Sequence, residues 1–163
     1  MPSSQSARKI LSLAALRRAV RRARARGARV VFTNGCFDLL HAGHVQLLEH
    51  AKRHGDLLVV GLNSDRSVRA LKGRGRPLVP QRDRARCLAA LASVDYVVIF
   101  NELTPQRVVT RLVPDVLIKG ADWAAGEIVG AEAVRNAGGR VARIPLLKGY
   151  STSRLLARLR RKR

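Results

Sequence analysis

The sequence has 163 residues, 47% hydrophobic and only 4% aromatic, with 32 Lys+Arg against 11 Asp+Glu and a formal net charge of +21. That length and apolar content suit one globular domain with a sizeable core, and no apolar run approaches the roughly 20 residues that a membrane span needs. Two cysteines, Cys36 and Cys87, give neither a disulfide framework nor metal-site spacing, so a reducing cytoplasm is expected.

The chain opens on a basic segment, residues 1–27, expected as a helical N-terminal extension with a helix over about 12–26. It has no uninterrupted apolar core ahead of a small-residue cleavage site, so no secretory signal is read. Nine basic side chains fall in residues 8–29 and six more in 154–163, while all eleven acids lie between Asp38 and Glu132. The middle of the chain is therefore only modestly basic, with 17 basic residues against 11 acids, a balance suited to a phosphorylated small molecule. With few aromatics there is little to stack single-stranded bases, and no specific nucleic-acid partner is expected.

After this segment two patterns alternate. Short, nearly continuous β-branched runs at 28–33, 56–62, 95–100, 115–120 and 139–145 predict strands buried on both faces of a parallel sheet. Between them, apolar stripes predict helices over 44–54 and 81–92. "LTPQRVVTRLVP" predicts another, with Thr104 as N-cap, Pro105 at its first turn and Pro114 past its end. A helix over 126–137, ended by Gly138 and Gly139, and a last one opened by the Ser/Thr run at 151–153 complete the series. "KGRGRPLVPQR" (72–82) is the longest irregular stretch. The alternation predicts an α/β, Rossmann-like, doubly wound fold, with five parallel strands and helices on both faces. Ligands of such sheets bind beyond the carboxyl ends of the strands, near the switch in strand order.

The first strand runs into "TNGCFDLLHAGH". Gly35 suits a tight turn, and Asn34, Gly35 and Cys36 could aim N–H groups at a phosphate. His41 and His44 sit at the start of a helix, where an anion is favoured, and Gly43 keeps the approach open. The residues alone leave open whether this pair binds phosphate or is two surface or capping histidines. Zinc lacks a third ligand nearby, so no metal site is expected.

Beyond physics, "TNGCFDLLHAGH", "GLNSDRSVRALKGRGRPLVPQRDR", "VDYVVIF", "PDVLIKGADW" and "GYSTSRLL" follow one another as in the HxGH nucleotidyltransferase superfamily, the cytidylyltransferase-like group, which the chain resembles over roughly residues 28–157. Within it, "LKGRGRPLVP", "TPQRVVTRLVPDVLIKGADW" and "EIVGAEAVRNAGGRV" look most like the D-glycero-β-D-manno-heptose 1-phosphate adenylyltransferases, in their stand-alone rather than kinase-fused form.

The resemblance makes residues 28–163 the nucleotidyltransferase domain. It implies that AMP passes from ATP to the heptose 1-phosphate, giving ADP-heptose and pyrophosphate for surface-glycan precursors. It makes His41, His44 and Lys72 catalytic. It puts Thr33, Asn34, Gly35, Cys36, Phe37, Asp38, His41, Gly43 and His44 on the nucleotide, with Lys119, Gly120, Asp122, Trp123, Ser151, Thr152 and Ser153. It puts Asn63, Asp65, Lys72, Arg76 and Arg84 on the sugar phosphate. Mg2+ held mainly by substrate phosphates, a homodimer and a cytoplasmic setting without membrane partner are also implied. A cytidylyltransferase acting on glycerol 3-phosphate or a related phosphorylated alcohol is the alternative. Leu146, standing where that group usually has Arg, counts against it. A nucleic-acid-binding protein is the distant one.

Overall fold

The computed structural model describes residues 5–122, 124 and 127–160. Among the described residues the elements follow in the order α1 (Gln5–Lys9), α2 (Leu13–Arg24), β1 (Val30–Gly35), α3 (Ala42–Lys52), β2 (Leu57–Asn63), α4 (Asp65–Lys72), α5 (Gln81–Ala90), β3 (Tyr96–Phe100), α6 (Gln106–Leu112), β4 (Val116–Gly120), α7 (Ala131–Asn136), β5 (Arg140–Ile144) and α8 (Thr152–Arg160). The five strands form one parallel sheet in the order β3-β2-β1-β4-β5, as the alternating pattern predicts. The chain builds outward from β1 to β3, then returns to lay β4 on the other side of β1. The switch in strand order therefore lies between the ends of β1 and β4.

Side chains alternate across each strand. Val31, Leu58, Val60, Leu62, Val97 and Ile118 face Leu48 and Ala51 of α3 and Ala85, Leu88 and Ala89 of α5. Val30, Phe32, Val59, Val98 and Leu117 face the other way, onto Leu16 and Val20 of α2, Val108, Val109 and Leu112 of α6, and Val134 of α7. Gly61 on β2 makes room for this second core, since a Cβ there would stand 2.6 Å from Phe32 Cζ. The stretch expected as an N-terminal extension thus packs on the sheet. Its helix buries Leu16, Ala19, Val20 and Ala23 at helical spacing and turns Arg17, Arg18, Arg21 and Arg22 to solvent.

Three strands open with an aspartate, and each carboxylate accepts an N–H at the start of a neighbouring strand. Asp56 takes Arg29 N at 2.7 Å, Asp95 takes Leu58 N at 2.7 Å and Asp115 takes Val30 N at 2.7 Å. These acids are committed at the amino end of the sheet, opposite the end where ligands of this architecture bind. At the β3 edge, Ile10 makes a parallel bridge with Val97, and Leu11 N donates to Val97 O at 2.9 Å. Lys9 Nζ caps the segment after α5 through Val94 O at 2.7 Å.

The helices depart from expectation in four places. Two short ones, α1 and α4, are not anticipated by the pattern; α4 is capped by Ser64 Oγ, which accepts Ser67 N at 3.2 Å. The helix expected over 126–137 begins only at Ala131, because Gly130 adopts φ 88°, outside the helical region, against Val109. Thr104 does not cap α6: Pro105, which has no N–H, supplies the first carbonyl, accepting Val109 N at 2.9 Å.

Candidate active site

β1 ends at Gly35, and the chain turns through Cys36, Phe37 and Asp38 before α3. Gly35 gives the Phe37 ring room here, since a Cβ would stand 3.0 Å from it and push it aside. Phe37 holds a left-handed φ of 43° and packs inward, its ring 5.0 Å from that of His44. His41 is the N-cap of α3. It makes no side-chain cap, but its carbonyl accepts His44 N at 2.9 Å and Val45 N at 3.2 Å. This geometry carries both imidazoles to the same side, stacked with centroids 3.8 Å apart and planes 19° from parallel. Gly43 leaves room beside the pair. A Cβ there would lie 3.1 Å from His41 Cε1 and Nδ1 and 3.1 Å from Tyr150 Cβ.

Burial pushes His44 down from 6.5 to about 4, with His41 adding to the depression and the Leu39 carbonyl opposing it. Burial also lowers His41. Both shifts favour the neutral ring, which has one N–H donor and one acceptor nitrogen. His41 Nδ1 and His44 Nδ1 are both buried without a hydrogen-bond partner. Buried polar atoms are normally satisfied, so the stacked pair marks a place that a polar ligand or water completes.

β4 ends at Lys119 and Gly120 on the other side of the switch. Lys119 is buried, and burial lowers its ammonium's affinity for the proton, against Asp122 and Cys36. Gly120 packs so closely that a Cβ would stand 2.5 Å from Asp122 Oδ1 and 2.9 Å from Leu146 Cδ2. Trp123 lies outside the described residues. Ser151 caps α8, its Oγ accepting Arg154 N at 3.2 Å, and with Thr152 is half-buried, while Ser153 is exposed. Tyr150, just before this cap, brings the start of α8 to the histidines, its ring 6.3 Å from that of His41.

The residues assigned to a sugar phosphate are mostly tied to protein partners. Arg84 is fully buried: Nε donates to Val79 O at 2.8 Å, Nη1 to Cys36 O at 2.6 Å and Asn63 O at 2.9 Å, and Nη2 to Asp65 Oδ1 at 2.8 Å. Asn63 Nδ2 donates to Ser67 Oγ at 2.9 Å. Arg76 Nε lies 2.6 Å from Asp38 Oδ2. Asp38 itself, expected under the nucleotide, is buried among protein donors. Thr33 is buried in β1. Lys72, by contrast, ends α4 with its side chain exposed. Its charge reaches the turn: burial raises the Cys36 thiol, Lys72 opposes this first, then Arg84 and Arg76, and Asp38 reinforces it. A thiol so raised is no nucleophile at neutral pH.

Sequence reasoning attached no role to Tyr150, which adjoins the Ser/Thr run; only the fold brings its ring beside His41.

A family model described as cytidylyltransferase-like matches residues 32–156. The chain is 53% identical over 151 residues to "Bifunctional protein HldE" of Magnetococcus marinus, covering 93% of this chain and 31% of that protein. It is 54% identical over 159 residues to the protein of the same name from Acidiphilium cryptum, covering 98% and 33%. The chain thus spans about a third of the length of these curated relatives. Among solved structures, a lipopolysaccharide core biosynthesis protein from Thermoplasma volcanium superposes with a TM-score of 0.62 at 27% identity, covering 77% of this chain and 100% of that one. A pantothenate synthetase from Thermus thermophilus, at 19% identity and a TM-score of 0.60 over 85% of this chain and 62% of that one, shares the fold.

Proposed function

The chain belongs to the cytidylyltransferase-like family, and we propose that it transfers AMP from ATP to D-glycero-β-D-manno-heptose 1-phosphate, releasing pyrophosphate and forming ADP-heptose. The observation that carries this reading is the stacked His41–His44 pair at the carboxyl end of β1, with buried nitrogens lacking partners. About 50% identity to the HldE proteins and likeness to a lipopolysaccharide core biosynthesis protein support the choice of sugar.

In this reaction a phosphate oxygen of the sugar attacks the α-phosphorus of ATP in line. The new O–P bond forms as the bond to the bridging oxygen breaks, and pyrophosphate leaves with the electron pair. The nucleophile is already an anion, so no general base is needed. The barrier is the meeting of two anions, and catalysis is positioning plus electrostatic stabilisation. Neutral His41 and His44 donate N–H to the phosphates, and the amino end of α3 adds its partial positive charge. Lys72 supplies a full charge from an exposed position.

Mg2+ enters this reading with the nucleotide. In this reading the substrate phosphates hold most of the ion's coordination, since Mg2+ commonly takes only one or two protein ligands. The reading also includes a homodimer in the cytoplasm, the first testable by light scattering; among the described residues no helix is long and apolar enough to cross a membrane.

The test is a grid of ATP or CTP against the heptose 1-phosphate, glycerol 3-phosphate and pantetheine phosphate, scored by pyrophosphate release. ATP with the heptose 1-phosphate is the expected pair. Preference for CTP with glycerol 3-phosphate would replace the substrate assignment, and no release with any pair would overturn the activity.

A further inference from the structure

Asp38 has no solvent-exposed side-chain surface, and both carboxylate oxygens face one segment, Oδ1 through hydrogen bonds and Oδ2 through an ion pair that lacks hydrogen-bond geometry. Oδ1 accepts Leu78 N at 2.8 Å and Val79 N at 3.0 Å, while Oδ2 lies 2.6 Å from Arg76 Nε. Arg84 takes the same segment from the other side through Val79 O, and with a second arm holds the Cys36 carbonyl of the phosphate turn. Residues 76–79 are thus fixed to the turn that follows β1. The start of α4 is fixed too, because Asp65 and Gln81 exchange hydrogen bonds: Asp65 N donates to Gln81 Oε1 at 2.8 Å and Gln81 N to Asp65 Oδ1 at 2.7 Å.

Between these fixed points lie Lys72 and the exposed tip Gly73–Arg74–Gly75. Gly73 and Gly75 hold φ 89° and 82°, and a Cβ at either would meet nothing within 4 Å. The tip is therefore not packed against the rest of the molecule, and its glycines give it freedom that its anchored flanks lack. A carboxylate at this point of the turn would repel a triphosphate if it were offered to it. Here it is buried against Arg76 and the backbone of Leu78 and Val79, so the acid works on the loop.

We propose that Asp38 is a positioning residue, which with Arg84 clamps segment 76–79 to the phosphate turn so that the glycine tip can carry Lys72 onto the substrate phosphates. The proposal rests on the nucleotidyltransfer reading above. It separates two jobs within one basic loop: Arg76 and Arg84 fasten it, and Lys72 acts from it.

A double-mutant cycle on kcat, measured by pyrophosphate release, tests this. Asp38→Asn is nearly isosteric and loses the charge. It is expected to lower kcat roughly tenfold with little change in KM for ATP, as a misplaced catalytic group does. In a Lys72→Ala background the same change is expected to cost less than about twofold, since the clamp acts through Lys72. Trypsin is expected to cut faster at Arg74 in Asp38→Asn than in the wild type. Equal kcat losses in the two backgrounds, or no loss from Asp38→Asn, would overturn the proposal. If Asp38→Asn does not fold, Arg76→Gln, which removes only the ion pair, enters the same cycle with the same expected non-additivity. A wild-type protein that releases no pyrophosphate defeats the activity itself; an active wild type with additive variants defeats only the clamp.

Discussion

His41 and His44 stack with ring centroids 3.8 Å apart, and burial favours the neutral form of both. Two cations could not share this place cheaply; two neutral N–H donors can. Loss of either donor should lower kcat by about 10²-fold or more, the scale of losing one oxyanion donor. His41→Ala and His44→Ala are the variants, and steady-state pyrophosphate release is the measurement. Near-normal turnover in both would remove the histidines from the mechanism.

The same burial makes stability depend on pH. His44 takes up a proton near 6.5 when unfolded but only near 4 when folded. Above pH 6.5 neither state is protonated there and its full contribution to stability is present. As pH falls from 6.5 towards 4 the unfolded state binds the proton first, so stability declines, by on the order of 3 kcal/mol across the window. Urea unfolding from pH 7 to 4 checks this. His44→Gln should flatten the slope, and an unchanged slope would mean that other groups set it.

Gly43→Ala sets stability against activity. Alanine favours an exposed helix by about 1 kcal/mol over glycine, yet its methyl would sit 3.1 Å from the His41 ring and from Tyr150 Cβ. The melting temperature should hold or rise while kcat falls about tenfold through a displaced donor. Wild-type turnover in this variant would show that the His41 ring can shift without cost to the reaction.

Arg84→Met should cost about 2–3 kcal/mol in urea unfolding, the scale of leaving buried acceptors without a donor; Asp65, a third exposed, can turn to water. The carbonyls of Cys36, Asn63 and Val79 lose their donor, and Asp65 loses its cation. A loss below about 1 kcal/mol would show that water replaces the guanidinium.

Much of this protein is legible without its coordinates. The strands can be read because each is a short, nearly unbroken β-branched run, and burial on both faces demands that composition. The turn after β1 is read less directly: glycine and two histidines at a strand end leave the ligand open, and only the family resemblance makes phosphate the expectation. What escapes is set by contacts distant in sequence. α4 has only eight residues, and its single large apolar anchor, Val68, gives no stripe. Arg84 stands in "QRDRARCLAA" among other arginines, and only its place beside Ala85, Leu88 and Ala89 on the buried face distinguishes it. Asp38 reads as a member of the nucleotide site because its sequence neighbours do. Its partners lie forty residues further on, and nothing local announces them.

The bridge between Ile10 and Val97 bears on how the protein can be handled. Strand β3, Tyr96–Phe100, reads YVVIF, uncharged and mostly β-branched or aromatic, the composition that aggregates when a sheet edge is left bare. Residues 9–11 shield that edge. A chain trimmed to begin at residue 12 would keep every residue proposed for chemistry and yet expose this strand to other copies of itself. Purification losses, rather than slower turnover, would be the first sign.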